Sequence, residues 1–284
     1  MKSKMPEGAL DGARIAITGS RGLIGRHLLP SLRDCLVLDG DVRDPSVFGH
    51  HFDVLIHLAG AMPRHFASNE HVAYAVNTVG TANAVAACRR NRARLLFAST
   101  SGVYARNGHS EPLDEDAPIA PASMYAASKL EAEALCRTLA SDSVVLRLFN
   151  VYGRDQGDDM LIGQLVDRMK RGLIATVHSP LAGRDFIHVA DVARAIVAAT
   201  ASCPLAVVNV AAGIATPVGD VARALSARLP GAKVTFGSGG VGDVVYADTT
   251  AAREALGWAP SVSLDAGLDD VVGSGPSALL AARR

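Results

Sequence analysis

The chain of 284 residues is 49% hydrophobic and 20% charged, so it can bury a large core and we do not expect it to be disordered. Lysine plus arginine and aspartate plus glutamate both total 28, and this zero net charge excludes the basic surface that nucleic acids and anionic membranes bind. Scattered cysteines, a polar amino terminus and the lack of any apolar run near the roughly 20 residues of a membrane span predict a soluble, cytoplasmic protein without a metal site.

Short runs rich in valine, isoleucine and leucine alternate with longer, alanine-rich stretches in the first half of the chain. They predict strands at residues 14–18, 36–38, 54–59, 95–99 and 144–149, and helices at residues 22–33, 69–91 and 125–140. Strands that alternate with crossover helices are typical of a buried parallel sheet with helices on both faces. We therefore predict an α/β fold with a Rossmann-type, doubly wound parallel sheet.

The pattern becomes irregular after residue 153, which indicates that the chain leaves the sheet there. It then predicts a strand at residues 185–189, a helix at 190–201 and a strand at 207–210, where the chain returns to the sheet. From about residue 214 the sequence predicts helices and loops, without strand alternation of comparable strength.

This organisation predicts two domains built from interleaved segments. Residues 1–153 and 184–212 form the Rossmann domain, and residues 154–183 and 213–284 form a smaller, mostly α-helical C-terminal cap. Because open α/β sheets bind their ligands at the carboxyl edge, we expect the cap to bind the substrate there.

A glycine-rich run, TGSRGLIG at residues 18–25, follows the first strand directly and opens the first helix. Glycines at positions 19 and 22 allow a tight turn and close approach of a pyrophosphate, and the start of a helix supplies free N–H donors. The run therefore predicts an NAD(P)-binding turn in the Rossmann domain, formed by Gly19, Ser20, Arg21, Gly22, Leu23 and Ile24.

Two charged residues bear on which dinucleotide binds. Asp39 ends the second strand about 20 residues after Gly19, where a carboxylate accepts hydrogen bonds from the ribose and favours NAD. Arg21 could pair with a 2′-phosphate and favours NADP instead. We predict NAD as the cofactor, with NADP as the alternative. Asp39 could also be a turn residue beside Gly40, and Arg21 a solvated side chain.

Tyr125 and Lys129, in the run YAASK, open the third predicted helix and lie four residues apart on one helical face. A tyrosine alone is a poor base, with a reference pKa of about 10, but a nearby ammonium stabilises the phenolate. The pair can then move a hydroxyl proton while hydride passes to or from a nicotinamide. An exposed helical pair without function is the alternative for this spacing.

Three hydroxyl residues, Ser99, Thr100 and Ser101, end a predicted buried strand at the edge of the sheet where the Tyr125 helix begins. Thr100 can hydrogen-bond the reacting oxygen there. Strand-terminal hydroxyl groups can alternatively cap the following segment.

Further motifs occur in order along nearly the whole chain. Together with the turn at residues 18–25 they are GDVRD at 40–44, HLAG at 57–60, VNTVGTAN at 76–83, STSGVY at 99–104, YAASK at 125–129, LFNVYG at 148–153, RDFIHV at 184–189 and ALGWAP at 255–260. The chain resembles the extended short-chain dehydrogenases/reductases of the NAD-dependent epimerase/dehydratase family, which includes nucleotide-sugar epimerases, dehydratases and reductases.

The resemblance implies that Thr100, Tyr125 and Lys129 are the catalytic residues and that the chain forms a homodimer through its helices at residues 69–91 and 125–140. The implied cofactor contacts beyond the glycine turn are Asp39, Asp41, Val42, Leu58, Ala59, Gly60, Asn77, Ser99, Tyr125 and Lys129, with Asp41 and Val42 beside the adenine. The implied substrate contacts are Thr100, Ser101, Tyr125, Asn150 and Arg184, the last two near the substrate's phosphates.

The chain departs from the family's pattern at two places. Sugar-nucleotide dehydratases usually carry Asp-Glu after the catalytic threonine, whereas this chain carries Ser101-Gly102, which disfavours dehydration. The family often places an arginine for the pyrophosphate just before a Tyr-Ala-Asp stretch, but residues 242–248 read GDVVYAD. Either Arg154, Arg168 or Arg171 replaces this arginine, or the substrate is not a nucleotide diphosphate sugar.

These observations leave three hypotheses. The leading one is a nucleotide-sugar epimerase that retains NAD, oxidises a sugar hydroxyl to a ketone and returns the hydride to the other face. The second is an NAD(P)H-dependent keto-sugar reductase or dehydrogenase with an exchangeable cofactor, which needs the same three catalytic residues. The third is a cofactor-sensing binding protein that has kept the fold and lost turnover.

Overall fold

The structure is a computed structural model that describes residues 12–105, 111–140, 142–201, 203–204, 206–239 and 242–273. In chain order its elements are β1 (Ile15–Thr18), α1 (Leu23–Leu28), β2 (Leu36–Val37), β3 (Val54–His57), α2 (Pro63–Ser68), α3 (Glu70–Asn91), β4 (Arg94–Thr100), α4 (Met124–Leu139), β5 (Ser143–Leu148), β6 (Asn150–Tyr152), α5 (Leu161–Lys170), β7 (Ile174–Val177), β8 (Gly183–His188), α6 (Val189–Ala201), β9 (Val207–Val210), β10 (Ala215–Pro217), α7 (Val218–Arg228), β11 (Lys233–Phe236), β12 (Val244–Val245), α8 (Thr250–Leu256) and α9 (Leu264–Val272).

The central sheet has six strands in the order β2-β1-β3-β4-β5-β9, and every neighbouring pair is parallel. Alternate residues of its strands face opposite sides: Leu96 and Leu146 pack in the apolar core on the α6 side, whereas Leu95 and Phe97 pack in the core on the α3 and α4 side. Helices thus cover both faces, and the predicted doubly wound α/β fold is confirmed.

Two helices that matter for the site begin at side-chain caps. Asn69 accepts a hydrogen bond from the Val72 amide at the start of α3, and Ser123 accepts one from the Ala126 amide at the start of α4. The cap on α4 fixes where the helix begins, directly above the carboxyl end of β4. It therefore places Tyr125 beside the end of the strand that carries Thr100.

The first helix is shorter than predicted. The α-helix ends at Leu28 and continues only as a single 3-10 turn, Leu29–Ser31. Pro30 lies in that turn, has no backbone N–H and cannot continue the helical hydrogen-bond ladder. The sequence also gave no signal for α2, which begins with Pro63 in the segment after β3.

The remaining strands form two smaller sheets. One has the order β10-β8-β12 with β6 also paired to β8, and the other pairs β7 with β11. Helices α5, α7 and α9 pack around a separate apolar core next to these sheets. The predicted Rossmann domain includes strand β8, but β8 pairs with β6, β10 and β12 in the first of these smaller sheets. The division into two domains stays a prediction.

Strands β10, β11 and β12 are only two to four residues long, which explains why the sequence showed no alternation there. Within the described ranges, no helix combines the length and the apolar character that crossing a membrane requires.

Candidate active site

The main cavity lies at the carboxyl edge of the central sheet and has a volume of about 690 Å³. At one end it is lined by the turn between β1 and α1, and at the other by the end of β4 and the start of α4. The segments at residues 60–64 and 155–160 complete its wall. A single cavity therefore connects the predicted phosphate-binding turn with the predicted catalytic residues.

The glycine turn leaves no room for side chains. Gly19 has a φ of 72°, and a Cβ atom there would lie 2.6 Å from the backbone nitrogen of Ala59. A Cβ atom on Gly25 would lie 2.4 Å from the carbonyl oxygen of Gly19. Of the residues predicted for this turn, all except Ser20 line the cavity. At Gly19 and Gly25 the backbone is therefore packed too closely for any side chain.

In the sequence, Arg21 favours NADP and Asp39 favours NAD. In the structure these two side chains form an ion pair with one another. Asp39 and Asp41 line an adjoining cavity of about 510 Å³ at the end of β2 rather than the main one. Arg43 donates hydrogen bonds to Asp41 and lowers the pKa of its carboxyl group to about 2. Val42 is buried in the core against Gly80.

Asn77 holds the segment that follows β3. Its side chain is buried, accepts a hydrogen bond from the Ala61 amide at 2.7 Å and donates to the Ala61 carbonyl and the Ser128 hydroxyl. A Cβ atom on Gly60 would lie 3.1 Å from the Asn77 side-chain oxygen and 3.6 Å from Nζ of Lys129. Asn77 thus holds the segment in which Gly60, because it lacks a side chain, leaves the space beside Lys129 open. The predicted contact between Asn77 and a cofactor stays a prediction.

The structure brings Thr100, Tyr125 and Lys129 together at one wall of the cavity. Tyr125 hydrogen-bonds with Thr100, whose Oγ1 also accepts from the Gly102 amide at 3.1 Å. Burial raises the pKa of Tyr125 to about 12, although the Thr100 hydrogen bond opposes this effect. The ring of Phe66, on the unpredicted helix α2, packs edge-on against Tyr125 with centroids 6.0 Å apart.

Lys129 is 6% exposed, and its Nζ lies 4.3 Å from the centroid of the Phe97 ring. Burial lowers the pKa of this ammonium to about 8, and the nearby Cys136 and Glu133 side chains counteract part of the shift. At pH 7 Lys129 therefore remains mostly protonated, and it lies one helical turn after Tyr125 on α4.

Two buried residues, Glu133 and Arg147, were not identified from the sequence. Glu133 and Arg147 form a buried ion pair with Nη2 2.9 Å from Oε2, and Ser99 donates its hydroxyl proton to Glu133. Two signals could have indicated them: Glu133 lies four residues after Lys129 on the same helical face, and Arg147 is a charged residue within an apolar strand.

The loop at residues 155–160 contributes to the cavity wall and is tethered twice. Arg26 of α1 donates to the Asp155 carbonyl at 2.9 Å, and Arg64 of α2 pairs with Asp159 at 3.0 Å. Oε1 of Gln156 is buried at this wall and has no hydrogen-bond partner among the described residues. An orphaned acceptor that borders a cavity is the pattern expected where a ligand supplies the missing donor.

The predicted substrate residues divide between two places. Ser101 and Asn150 line the main cavity, and the Asn150 amide donates to the Asp185 carbonyl at 2.8 Å. Arg184 lies outside the main cavity, at a space of about 30 Å³, and pairs with Asp243 at 2.7 Å. A role for Arg184 at the substrate's phosphates stays a prediction, and its guanidinium group already has an anionic partner.

The three arginines considered as replacements for the missing phosphate arginine also lie elsewhere. Arg154 pairs with Asp270, Arg168 donates to the Ile174 carbonyl and Arg171 pairs with Asp167. None of these three arginines lines the main cavity, where the arginines present are Arg21, Arg26 and Arg64 in the described part of the chain. Arg64 therefore lines the same cavity as Thr100, Tyr125 and Lys129, whereas the three candidates do not.

Comparison with known proteins identifies the family. The model of the NAD dependent epimerase/dehydratase family matches residues 15–211, which is more than half of the chain. The chain belongs to this family. The resemblance inferred from the motifs is thereby confirmed, and the match extends from β1 to the end of β9.

Individual members of the family show the same relationship. The chain is 28% identical over 309 residues to the UDP-glucose 4-epimerase of Azospirillum brasilense, with 87% of each protein covered. It is 36% identical over 165 residues to the dTDP-4-dehydrorhamnose reductase of Mycobacterium tuberculosis, but this match covers only 52% of this chain and 53% of that protein. The solved structure of MoeE5 in complex with UDP-glucose and NAD is 29% identical, with a TM-score of 0.79, and covers 92% of this chain and 97% of that one.

Proposed function

We propose that the protein is a nucleotide-sugar epimerase that uses NAD. The observation that carries this proposal is the continuous cavity, whose one end is the glycine turn and whose other end holds Thr100, Tyr125 and Lys129. A dinucleotide that extends from the turn would bring its nicotinamide to these three side chains. The full-length relationship to UDP-glucose 4-epimerases supports a nucleotide sugar as the substrate.

The residues present fit a dinucleotide. Gly19 and Gly25 form a cradle that a Cβ atom would fill, and the missing side chain of Gly60 leaves space beside Lys129. The unpartnered Oε1 of Gln156 offers an acceptor at the same cavity. NAD, when bound, supplies the group that accepts and returns a hydride. Because Arg21 is already paired with Asp39, we propose NAD rather than NADP.

Tyr125 carries the proton in this mechanism. It takes the proton of the sugar hydroxyl as the sugar is oxidised to a ketone. It returns the proton after the keto sugar has rotated, so that the hydride is delivered to the opposite face of the sugar. The raised pKa of its phenol means that the free phenolate is scarce at neutral pH, so the Lys129 ammonium is needed to stabilise it. Thr100 holds the reacting oxygen beside Tyr125.

The tethered loop favours an epimerase over a reductase. An epimerase returns the hydride with the same cofactor molecule, whereas a reductase must exchange its cofactor in every cycle. Arg26 and Arg64 hold residues 155–160 in the wall of the cavity that connects the turn with Thr100, Tyr125 and Lys129. The keto-sugar reductase remains the second candidate, because the relative with 36% identity is a reductase.

Assembly and location belong to the same proposal. Helices α3 and α4 pack side by side and expose Val72, Val79, Met124 and Leu139, which supports a homodimer through these two helices. The four cysteines are free, and Cys88, Cys136 and Cys203 are buried, which supports a reducing, cytoplasmic environment.

Mass spectrometry of the small molecules released from denatured protein tests the proposal together with an NMR assay on UDP-glucose. We expect stoichiometric NAD⁺ and conversion of UDP-glucose, or of another UDP-sugar offered in parallel, to its epimer without net formation of NADH. A protein that is purified empty and consumes added NAD(P)H with a 4-keto nucleotide sugar would replace the epimerase with the reductase.

A further inference from the structure

Glu133 is a buried acid that does not line the main cavity. It is 1% exposed and lies on α4, one helical turn after Lys129. Its carboxylate is shared by two groups from the central sheet. Arg147 of β5 contacts both carboxylate oxygens, at 2.9 to 3.3 Å, and Ser99 of β4 donates its hydroxyl proton to Oε1.

This network connects the elements that carry the three catalytic residues. Ser99 directly precedes Thr100 at the end of β4, whereas Glu133 belongs to the helix that bears Tyr125 and Lys129. The connection extends further through Arg147, which donates to the Glu115 carbonyl at 2.9 Å and whose guanidinium carbon lies 4.8 Å from the centroid of the Tyr104 ring. The strand and the helix that must hold Thr100 against Tyr125 are thus joined by directional bonds just below that contact.

Stability alone does not explain such a network. A buried ion pair contributes little net stability, because desolvation of its charges offsets their attraction, and apolar side chains of similar volume often serve as well. Hydrogen bonds, unlike apolar contacts, fix distance and direction. The Thr100 to Tyr125 contact needs this accuracy, since a misplacement of about 1 Å in an active site can reduce the rate on the order of 100-fold.

We propose that Glu133 is a positioning residue: held by Arg147 and bonded to Ser99, it fixes the end of β4 against α4 and so keeps Thr100 in place beside Tyr125. Glu133 itself touches neither substrate nor cofactor. The kinetic part of the test below rests on the proposed epimerase function, whereas the spectroscopic part does not.

Two substitutions break the network at different points. Ser99→Ala removes one hydrogen bond and leaves the Glu133–Arg147 ion pair intact, so the protein should fold. Glu133→Gln keeps the shape of the side chain and removes its charge. We expect kcat to fall about 3- to 10-fold in Ser99→Ala, the effect of one hydrogen bond, and further in Glu133→Gln, with the KM for the sugar nucleotide unchanged. Ser99→Thr, which retains a hydroxyl group, should recover part of the lost kcat.

Asp191→Asn is the matched control. Asp191 is also a fully buried carboxylate, and it accepts hydrogen bonds from the Ser261 and Val262 amides and pairs with Arg194, but it does not line the main cavity. We expect this variant to lose melting temperature, as Glu133→Gln does, and to keep its kcat at temperatures below the transition.

A readout without substrate comes from NMR of protein labelled at the ζ carbon of tyrosine. The chain has five tyrosines, so Tyr125→Phe assigns the Tyr125 resonance. Ser99→Ala and Glu133→Gln should shift this resonance at neutral pH, whereas Asp191→Asn should not.

Three outcomes are distinguishable. A shifted Tyr125 resonance together with a reduced kcat supports the proposal. A shifted resonance in a protein that epimerises no sugar supports positioning and removes the proposed function. A lower melting temperature with kcat and the Tyr125 resonance both unchanged would overturn the proposal and leave Glu133 a purely structural role.

Discussion

Two walls of the main cavity are built in different ways. At the glycine turn the wall is backbone, and its shape follows from residues that must lack a side chain, such as Gly19 and Gly25. The wall formed by residues 60–64 and 155–160 is instead held by a side-chain pair between distant segments, Arg64 with Asp159. The first kind of wall is encoded locally and can be read from a motif, whereas the second depends on partners that only the folded chain brings together.

Replacing Tyr125 with phenylalanine should have the largest effect on turnover. The ring and its contact with Phe66 are retained, but the proton carrier is lost, so we expect kcat to fall about 10²- to 10⁴-fold. NAD binding, measured by isothermal titration, should change little. Unchanged biological activity of Tyr125→Phe would instead favour a cofactor-sensing protein without turnover.

Gly19→Ala tests the backbone wall. The new Cβ atom would meet the backbone of Ala59 at 2.6 Å, so we expect a loss of NAD affinity of at least about tenfold, which corresponds to about 1.4 kcal/mol. Gly231→Ala is the matched control, because Gly231 has a similar φ of 77° and open space around it.

Gly231→Ala should lower the free energy of unfolding by about 1 to 2 kcal/mol through backbone strain and leave NAD affinity intact. Equal losses of affinity in the two glycine variants would show that strain, rather than the close approach to Ala59, explains the result.

The lowered pKa of Lys129 predicts an alkaline limit of activity. A folded-state pKa of about 8 means that the ammonium, which stabilises the Tyr125 phenolate, is lost as the pH rises through 8. We expect kcat to decline above this pH, about tenfold per pH unit at the limit. Arg has a pKa above 12, so the residual activity of Lys129→Arg should lack this decline. A decline that persists in this variant would assign the limit to another group.

The smallest effect concerns the side-chain wall. An exposed ion pair contributes about 0.2 to 1 kcal/mol, so Arg64→Ala should speed the release of NAD up to about fivefold, as followed by displacement with excess labelled NAD. Asp159→Asn should do the same, and the double variant should add nothing further. Arg171→Ala, which breaks a pair on α5 outside the main cavity, is the control. Additive effects of Arg64→Ala and Asp159→Asn would contradict the tether.

The sequence predicted the strands of the central sheet because they are buried apolar runs, most of them rich in valine, isoleucine and leucine, and several are separated by long helices. It missed α2, which begins at a proline, and the strands β6, β7 and β10 to β12, which pair outside the central sheet and are only partly buried. Sequence patterns such as apolar runs depend on a few neighbouring residues. Elements that are stabilised mainly by tertiary contacts therefore show no such pattern.

The candidate site shows the same difference between features encoded by local motifs and features set by tertiary contacts. The motifs led directly to the glycine turn and to Thr100, Tyr125 and Lys129. Nothing in the sequence could show that Arg184 is paired with Asp243, a residue 59 positions away, or that Arg21 is paired with Asp39. The partners of charged side chains are set by the tertiary fold, so these two ion pairs required the structure.

The most direct test of the account follows a single hydride. The UDP-sugar that the protein converts, carrying deuterium at the carbon that is inverted, is incubated with the protein, and the epimer is analysed by mass spectrometry and NMR. Retention of the deuterium at the inverted carbon of the epimer, without labelled NADH in solution, is the result that our account predicts, because the same bound NAD accepts and returns the hydride. An epimer without deuterium, or deuterium that appears in free NADH, would contradict it.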